Sequence, residues 1–561
     1  MHVRSNRNAT SAPRIATAGE GYNGERYLRI DIGRRARVIV RIDNLTGQNK
    51  RAEFFERLNR HGAHLISPKA QGAFIGQIQA DGYRKPTFVV VDKCGWAEGA
   101  FVLPNRILGK PNRKLEADLP DAVASANKYG VRGTLDGWKE IPNLARGNSR
   151  FILALALGFV GPLGDILQAE QVAMQFVGDG GSGKTSVAFA AGSIWGTSAR
   201  SAESTKSLGF METWNNTENE VEQVAAAHNH TFLILDETRT VGSSKGKDQL
   251  AVMKNVIMKL ERSSEKGRMT ATTPKKTWWT AVLSTSNLSL DELALDSKAE
   301  LDDAFRGRMI DIPLPEGGAG VFQDLHGLPD VSAISGKIRD LAQANHGVAA
   351  QAFLEKLTAW RAKDENNLKA WLNLKRRTYL RHAKALPTNG RELGRFHQKF
   401  ATVYAAGRLA KKFGLLNLAL DELRNAILQC ERDHLAHVAS AGEMPVKKSF
   451  SNVDTLSRFL KENRSSFVDL RNGLPSAVSK GSLGYINVHN GSIEYLLTGK
   501  VLVAIMGSED QVRELKRDLG DQNLLVVTKA GQQKLRYTCK RQIALDQGRA
   551  TVTAIKAELI D

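Results

Sequence analysis

Gly178-Asp179-Gly180-Gly181-Ser182-Gly183-Lys184-Thr185 follows the pattern G-x-x-x-x-G-K-[ST]. The chemistry such a loop supports is the grip of a nucleotide's phosphates. Its glycines let the backbone curl until several N–H groups point at one phosphate. Lys184 brings a point charge to the outer phosphates, and the Thr185 hydroxyl is placed to hold Mg²⁺. The helix that starts at Ser186 aims its N-terminus at the same anion. Gly178, Asp179, Gly180, Gly181, Ser182, Gly183, Lys184, Thr185 and Ser186 are therefore the expected binding residues, for ATP with Mg²⁺. A chance glycine-rich turn is the plainer alternative, but an apolar run precedes the loop and a small-residue helix follows it.

Hydrolysis also needs a metal-bound acid and a base that orients water. Phe232-Leu233-Ile234-Leu235-Asp236-Glu237 offers both at the end of a buried strand. Asp236 is expected to hold Mg²⁺ through water and Glu237 to orient the attacking water. Next comes Leu283-Ser284-Thr285-Ser286-Asn287, a strand ending in polar residues. In the additional-strand class of these ATPases a polar residue there senses the γ-phosphate. Asn287 is the first candidate and Thr285 the second. Arg306 and Arg308 stand just before the short apolar strand Met309-Ile310-Asp311-Ile312. This resembles the arginine-finger segment of AAA+ ATPases, in which the arginine reaches the neighbouring subunit's nucleotide. Arg308 is favoured over Arg306; pairing with nearby acids such as Asp302 and Asp303 is the alternative.

The elements that must position these groups are read from hydrophobic runs. Val172–Val177, Thr231–Leu235 and Trp279–Leu283 are near-continuous apolar stretches with helical segments between them. That alternation predicts a parallel sheet between helices. The predicted fold is α/β and multidomain. An AAA+-like phosphate-loop parallel core spans 141–316 with its preceding helix. Residues 1–24 are expected to be disordered and 25–140 to form a strand-rich domain. A helical region follows over 317–440, then a winged-helix-like part over 441–561. There, Ser508 to Leu519 reads as a capped helix. Leu524 to Thr528 and Gln533 to Cys539 read as a hairpin.

The 561 residues carry 79 Lys and Arg against 59 Asp and Glu, a net charge of +20. Such a surplus favours polyanionic partners, nucleic acid above all. Part of it is local: residues 363–412 hold thirteen Lys or Arg against three acids. Cys94, Cys430 and Cys539 are far apart and in no metal-ligand spacing, which argues against a disulfide framework and fits a reducing cytoplasm. Phe151 to Gly164 is too short to span a bilayer and reads as a buried helix, so no membrane partner is expected.

The chain also resembles a family. The run from Phe151 through the phosphate loop to Gly196 is similar to the domain-of-unknown-function family nine-two-seven. So are Trp214-Asn215-Asn216-Thr217-Glu218-Asn219, His228-Asn229, Leu235-Asp236-Glu237, and Gly95-Trp96 with Phe101-Val102-Leu103-Pro104. Tyr485 to Tyr537 resembles its C-terminal part. Many members carry Ser-Thr-Gly-Glu where this chain has Ser284-Thr285-Ser286-Asn287. The resemblance implies an ATPase of phages, plasmids and other mobile elements. Some such members look like minichromosome-maintenance helicases, hexameric rings that unwind DNA. In those rings the interval after the acidic pair carries a hairpin lining the pore. Lys266, Arg268 and Lys275 are the corresponding candidates here, with a solvated basic loop as the alternative. The expected function is thus an ATP-dependent, ring-forming DNA helicase or translocase acting in replication, with single-stranded DNA in the pore of a homo-hexamer working on a forked duplex. An ATP-regulated initiator or loader is the alternative, as is a defence or regulatory ATPase that remodels a protein.

Overall fold

The computed structural model describes residues 13–559 except 23, 34–35, 46, 82–83, 105, 120–126, 197–209, 215–217, 237–248, 263–276, 298–300, 302, 387–393, 444–451, 478–481, 523, 527, 531–533 and 546–548. The chain divides into two units, Met1–Glu443 and Met444–Asp561.

The first unit opens with a sheet. Strands β1 (Arg14–Glu20), β2 (Arg26–Ile32) and β3 (Ala36–Arg41) form an antiparallel meander. Helices α1 (Gln48–Arg60) and α2 (Pro68–Asp81) follow. Strand β4 (Phe88–Val91) then adds parallel to β1. The helices bury Phe54, Leu58, Phe74 and Ile78 against Leu28, Ile30, Val38 and Val40. Strand β1 corrects the expectation of disorder up to residue 24. Its segment is short and rich in small residues, but Ile15 and Ala18 are buried in the sheet's core, and that tertiary burial fixes the strand.

Strands β5 (Gly95–Ala97), β6 (Ala100–Leu103) and β7 (Arg106–Leu108) make a small antiparallel sheet. Strand β8 (Leu115–Ala117) returns to the first sheet, beside β4. Helix α3 (Ser149–Gly158) is buried on every side, as its apolar circumference requires. Its Phe151, Leu153 and Leu155 belong to the largest hydrophobic cluster, which also takes in Phe101 and Leu103 of β6.

The central sheet has the order β10-β11-β12-β9-β13, and each neighbouring pair runs parallel. It consists of β9 (Ala173–Val177), β10 (Glu212–Thr213), β11 (Phe232–Asp236), β12 (Ala281–Ser286) and β13 (Ile310–Pro313). Helix α4 (Lys184–Gly192) leaves the end of β9 through the glycine-rich loop. Helices α5 (Glu218–Ala227), α6 (Gln249–Arg262) and α7 (Leu290–Asp296) follow along the chain. Trp278 is buried and Trp279 half-buried, their indole N–H groups donating to Leu260 O and Ala169 O.

Among the described residues, helices α8 (Val331–Ala344), α9 (Val348–Lys363), α10 (Glu365–Ala383), α11 (Gly394–Lys412) and α12 (Leu420–Glu443) complete the unit. Phe400, Tyr404 and Leu423 join the cluster around α3. Arg150 of α3 is fully buried. Its guanidinium donates to Pro313 O at 2.7 Å and meets the Asp433 carboxylate at 2.6 Å, tying α3 to β13 and α12.

Among its described residues the second unit holds a five-stranded sheet, order β14-β15-β16-β20-β19, and three α-helices. The helices are α13 (Asn452–Glu462), α14 (Gly499–Met506) and α15 (Glu509–Asp521). The strands are β14 (Val468–Asp469), β15 (Tyr485–His489), β16 (Ser492–Leu497), β19 (Cys539–Arg541) and β20 (Ala550–Lys556). A separate hairpin pairs β17 (Thr528–Ala530) with β18 (Lys534–Arg536). Ser508 caps α15 as expected, accepting from Gln511 N. The hairpin is shorter than predicted. Leu525 bridges to Ile555 and Cys539 pairs with Val552, because burial in the main sheet outweighs extension of the hairpin. All three cysteines are buried thiols. Among the described residues no helix is long and apolar enough to cross a membrane.

Candidate nucleotide site

Register brings the motifs together. Val177 at the end of β9 stands opposite Ser286 of β12 and Pro313 of β13. Leu235 of β11 stands opposite Ser284. The glycine-rich loop, Asp236 and the Ser286-Asn287 turn therefore emerge at one edge of the sheet. Ligands of parallel α/β sheets bind at this carboxyl edge. Two glycines are required by the loop's path. Gly178 has φ 154 and lies against the Leu314 side chain, where a Cβ would collide. Gly183 has φ 87, and a Cβ there would come within 2.6 Å of the Phe322 ring.

Lys184 is buried, with 6% of its surface exposed. Its ammonium donates to Gly178 O and Asp179 O, each at 2.7 Å, and to Ser182 Oγ at 3.1 Å. Asn287 Oδ1 accepts from it at 3.4 Å. Thr185 Oγ1 donates to Asp236 Oδ1 at 3.0 Å, and Thr285 Oγ1 donates to the same oxygen at 2.6 Å. Lys184, Thr185, Asp236 and Asn287 thus converge, although Asp236 and Asn287 lie 51 or more residues beyond the loop. The two candidates for a phosphate-sensing residue part company here. Asn287 faces the lysine, whereas Thr285 is buried behind Asp236 and aims its carboxylate.

A hydroxyl and a carboxylate on adjacent elements are hard oxygen donors suited to Mg²⁺, which takes one or two protein oxygens and completes its shell with phosphates and water. Thr185 and Asp236 fit that role. No group of three or more His, Cys, Asp or Glu suited to a metal occurs among the described residues. Glu237 lies outside the described residues, as do Lys266, Arg268 and Lys275.

The arginine pair is held by acids the sequence did not single out. Arg306 makes a two-point contact with Asp291 in the first turn of α7, at 2.7 and 3.0 Å. Arg308 pairs with Glu261 near the end of α6. Both side chains are only partly exposed, 19% and 27%. Between them, the Gly307 carbonyl accepts from the buried Lys399 of α11 at 2.6 Å. Asp302 lies outside the described residues.

Two supports escaped the sequence reading. Val321 N donates to Ser182 O at 2.8 Å, so the segment after β13 braces the glycine-rich loop. Its signal in the sequence is the glycine cluster Gly317, Gly318 and Gly320. The second support is a polar line through the buried sheet. Trp214 Nε1 donates to Ser284 Oγ, Ser284 Oγ to Gln175 Oε1, and Gln175 Nε2 to Asp311 Oδ1, at 2.9, 3.0 and 2.9 Å. Asp311 Oδ2 accepts from Leu290 N at 2.6 Å. This fixes the start of α7, just after Asn287. Burial pushes the Asp311 carboxyl up to about 7, against the two donors that favour its charge. The signal was a polar residue in each of three apolar runs that fall in register.

Residues 19–269 match the model of a family described as a domain of unknown function, DUF927. The match covers the strand-rich region, the phosphate loop and Asp236, and so agrees with the resemblance carried by the motifs. A comparison with curated proteins finds no match. Among solved structures, the fold is similar to "SCCmec type IV Cch - active helicase" at a TM-score of 0.56 and 16% identity. That alignment covers 98% of this chain and 95% of the other. At this identity the likeness is one of fold.

Proposed function

We propose that this chain is an ATP-dependent DNA helicase or translocase of a mobile element, built as an AAA+-like ring. The observation that carries the reading is the convergence of Lys184, Thr185, Asp236 and Asn287 at the carboxyl edge of the central sheet. Strand β12 lies between the loop-bearing β9 and the acid-bearing β11, an order that supports assignment to the additional-strand class. The solved helicase of similar fold and the net charge of +20 support work on DNA.

In this reading Lys184 and the loop N–H groups bind the phosphates. Thr185 and Asp236 hold Mg²⁺, which when bound neutralises phosphate charge and orients the β- and γ-oxygens. Glu237 orients water, and Asn287 reports the γ-phosphate. Arg308, or Arg306 as second choice, serves the neighbouring subunit. To do so it must exchange its intrachain acid for that neighbour's nucleotide. Lys266, Arg268 and Lys275 touch the DNA backbone within the pore of a hexamer.

The test is strand separation on a forked duplex. The wild type is expected to open it with ATP, and Lys184→Ala to bind the fork without opening it. Glu237→Gln should retain ATP binding while turnover falls. A wild type that hydrolyses ATP and binds the fork but never separates its strands would sink the motor reading in favour of a nucleotide-controlled switch.

A further inference from the structure

Helices α10 and α11 pack side by side and carry an unusual charge pattern. Five Lys or Arg lie on α10 with one acid, Glu365, and five lie on α11 with none. Glu365 is already engaged with Arg361 at 2.8 Å. Lys399 points inward and is set aside. Lys375, Arg377, Arg381, Arg408 and Lys412 are exposed or partly exposed. The Lys375 ammonium lies 5.0 Å from the Trp371 ring centroid. The Lys412 ammonium lies 5.4 Å from Trp360 and 5.9 Å from Trp371. Two ammonium groups thus share one indole. Arg408 rests on Tyr404 close by. Arg377 and Arg381 are exposed one turn apart on α10.

Several arginines elsewhere in this unit are paired with acids. Arg29, Arg41, Arg57, Arg84 and Arg113 of the N-terminal region each have a carboxylate within salt-bridge range. None of Lys375, Arg377, Arg381, Arg408 and Lys412 has one among the described residues. The crowding has an effect. Partial burial, then Arg408 and Lys412, pull the Lys375 ammonium below the usual lysine range. Like charges gathered without counter-charge repel, and a polyanion relieves that repulsion.

We propose that the α10–α11 face is a DNA-contact surface, separate from the nucleotide site and from the pore residues, that grips phosphodiester backbone. Trp360 and Trp371 are half-buried with the lysine ammonium groups over their rings, so the proposed contact is to phosphates and reads no bases. The proposal rests on the reading that the chain works on DNA.

The experiment measures binding of the full chain, without nucleotide, to fluorescein-labelled duplex and single-stranded DNA over a range of salt. The triple variant Arg377→Ala, Arg381→Ala, Lys412→Ala changes exposed positions only, and its melting temperature checks the fold. Each lost phosphate contact lowers the salt slope by about 0.9 on duplex and about 0.7 on a single strand. The triple variant is therefore expected to lower the slope by about 2.7 on duplex, or about 2 if the surface holds a single strand. Affinity at low salt should fall on the order of 100-fold. Basal ATP turnover should stay at the wild-type rate, and Arg377→Lys with Arg381→Lys should keep the wild-type slope. An unchanged slope on both DNAs overturns the proposal even if the chain unwinds forks. A wild type that binds no DNA overturns the parent reading as well.

Discussion

Asp236 illustrates how much of the site lies in single atoms. One of its oxygens receives both the Thr185 and the Thr285 hydroxyl. Thr185 was legible from the loop motif, and Asp236 from an acid ending an apolar run. The role of Thr285 was not, because strand spacing alone cannot say which neighbour a side chain meets. A group that orients a metal ligand typically changes metal affinity or activity by about 10–100-fold when lost. Thr285→Val keeps the shape of the side chain and removes the donor. ATP turnover by this variant should fall within that range, and the Mg²⁺ concentration for half-maximal rate should rise. A rate and Mg²⁺ dependence equal to wild type would show that Asp236 needs no such support. Asn287 is the contrasting case: its amide faces the lysine, and its position at a strand end was sufficient to nominate it.

At the scale of elements, the sequence revealed β9, β11, β12 and β13 of the central sheet because apolar runs of that length have few other uses. The two-residue edge strand β10 carries no such run. The sequence concealed what braces the sheet. Lys399 reaches Gly307 from a helix 92 residues away, and Arg150 reaches Asp433 across 283. No local pattern marks either contact. The helical layer hides a titratable group in the same way. Glu431 of α12 is fully buried; it accepts from Tyr379 OH and contacts His397 Nδ1, both at 2.5 Å. The bond to Glu431 raises the His397 imidazole above its usual range, against partial burial. A raised folded value means that its stabilising contribution is fully present below the unfolded value of about 6.5 and is lost as pH rises through the folded value. The wild type should therefore lose more melting temperature than His397→Gln between pH 6 and 8.5. Parallel curves for the two proteins would assign the contact no net part in stability.

At the scale of the whole molecule, the boundary at Glu443–Met444 separates two units with their own cores. The sequence predicts a boundary near 440, at the end of a long helical stretch. The boundary expected near 140 marks no comparable break. Phe101, Leu103, Leu108 and Tyr129 lie in the same cluster as Phe151 and Trp195. The β5–β6 hairpin is also bonded to the base of the central sheet. Trp96 donates its indole N–H to Pro162 O at 2.8 Å and its backbone N–H to His230 Nδ1 at 3.2 Å. Asn229 donates to Cys94 O at 2.6 Å and accepts from Trp279 N. Each large apolar side chain uncovered here forfeits roughly 1.5–3 kcal/mol. A chain shortened to begin at residue 141 should therefore elute as aggregate in size-exclusion chromatography, whereas residues 1–443 should elute as a discrete species that still turns over ATP. Discrete elution of the shorter chain would refute this dependence.

The weld at Trp96 also bears on how such a protein can be inherited. A segment that shares its core with the central sheet cannot be exchanged for another without leaving that core open. The recognisable family stretch begins inside the first sheet and runs past Asp236, crossing the strand-rich region and the phosphate loop without a seam. Recombination would then exchange the first unit only as a whole.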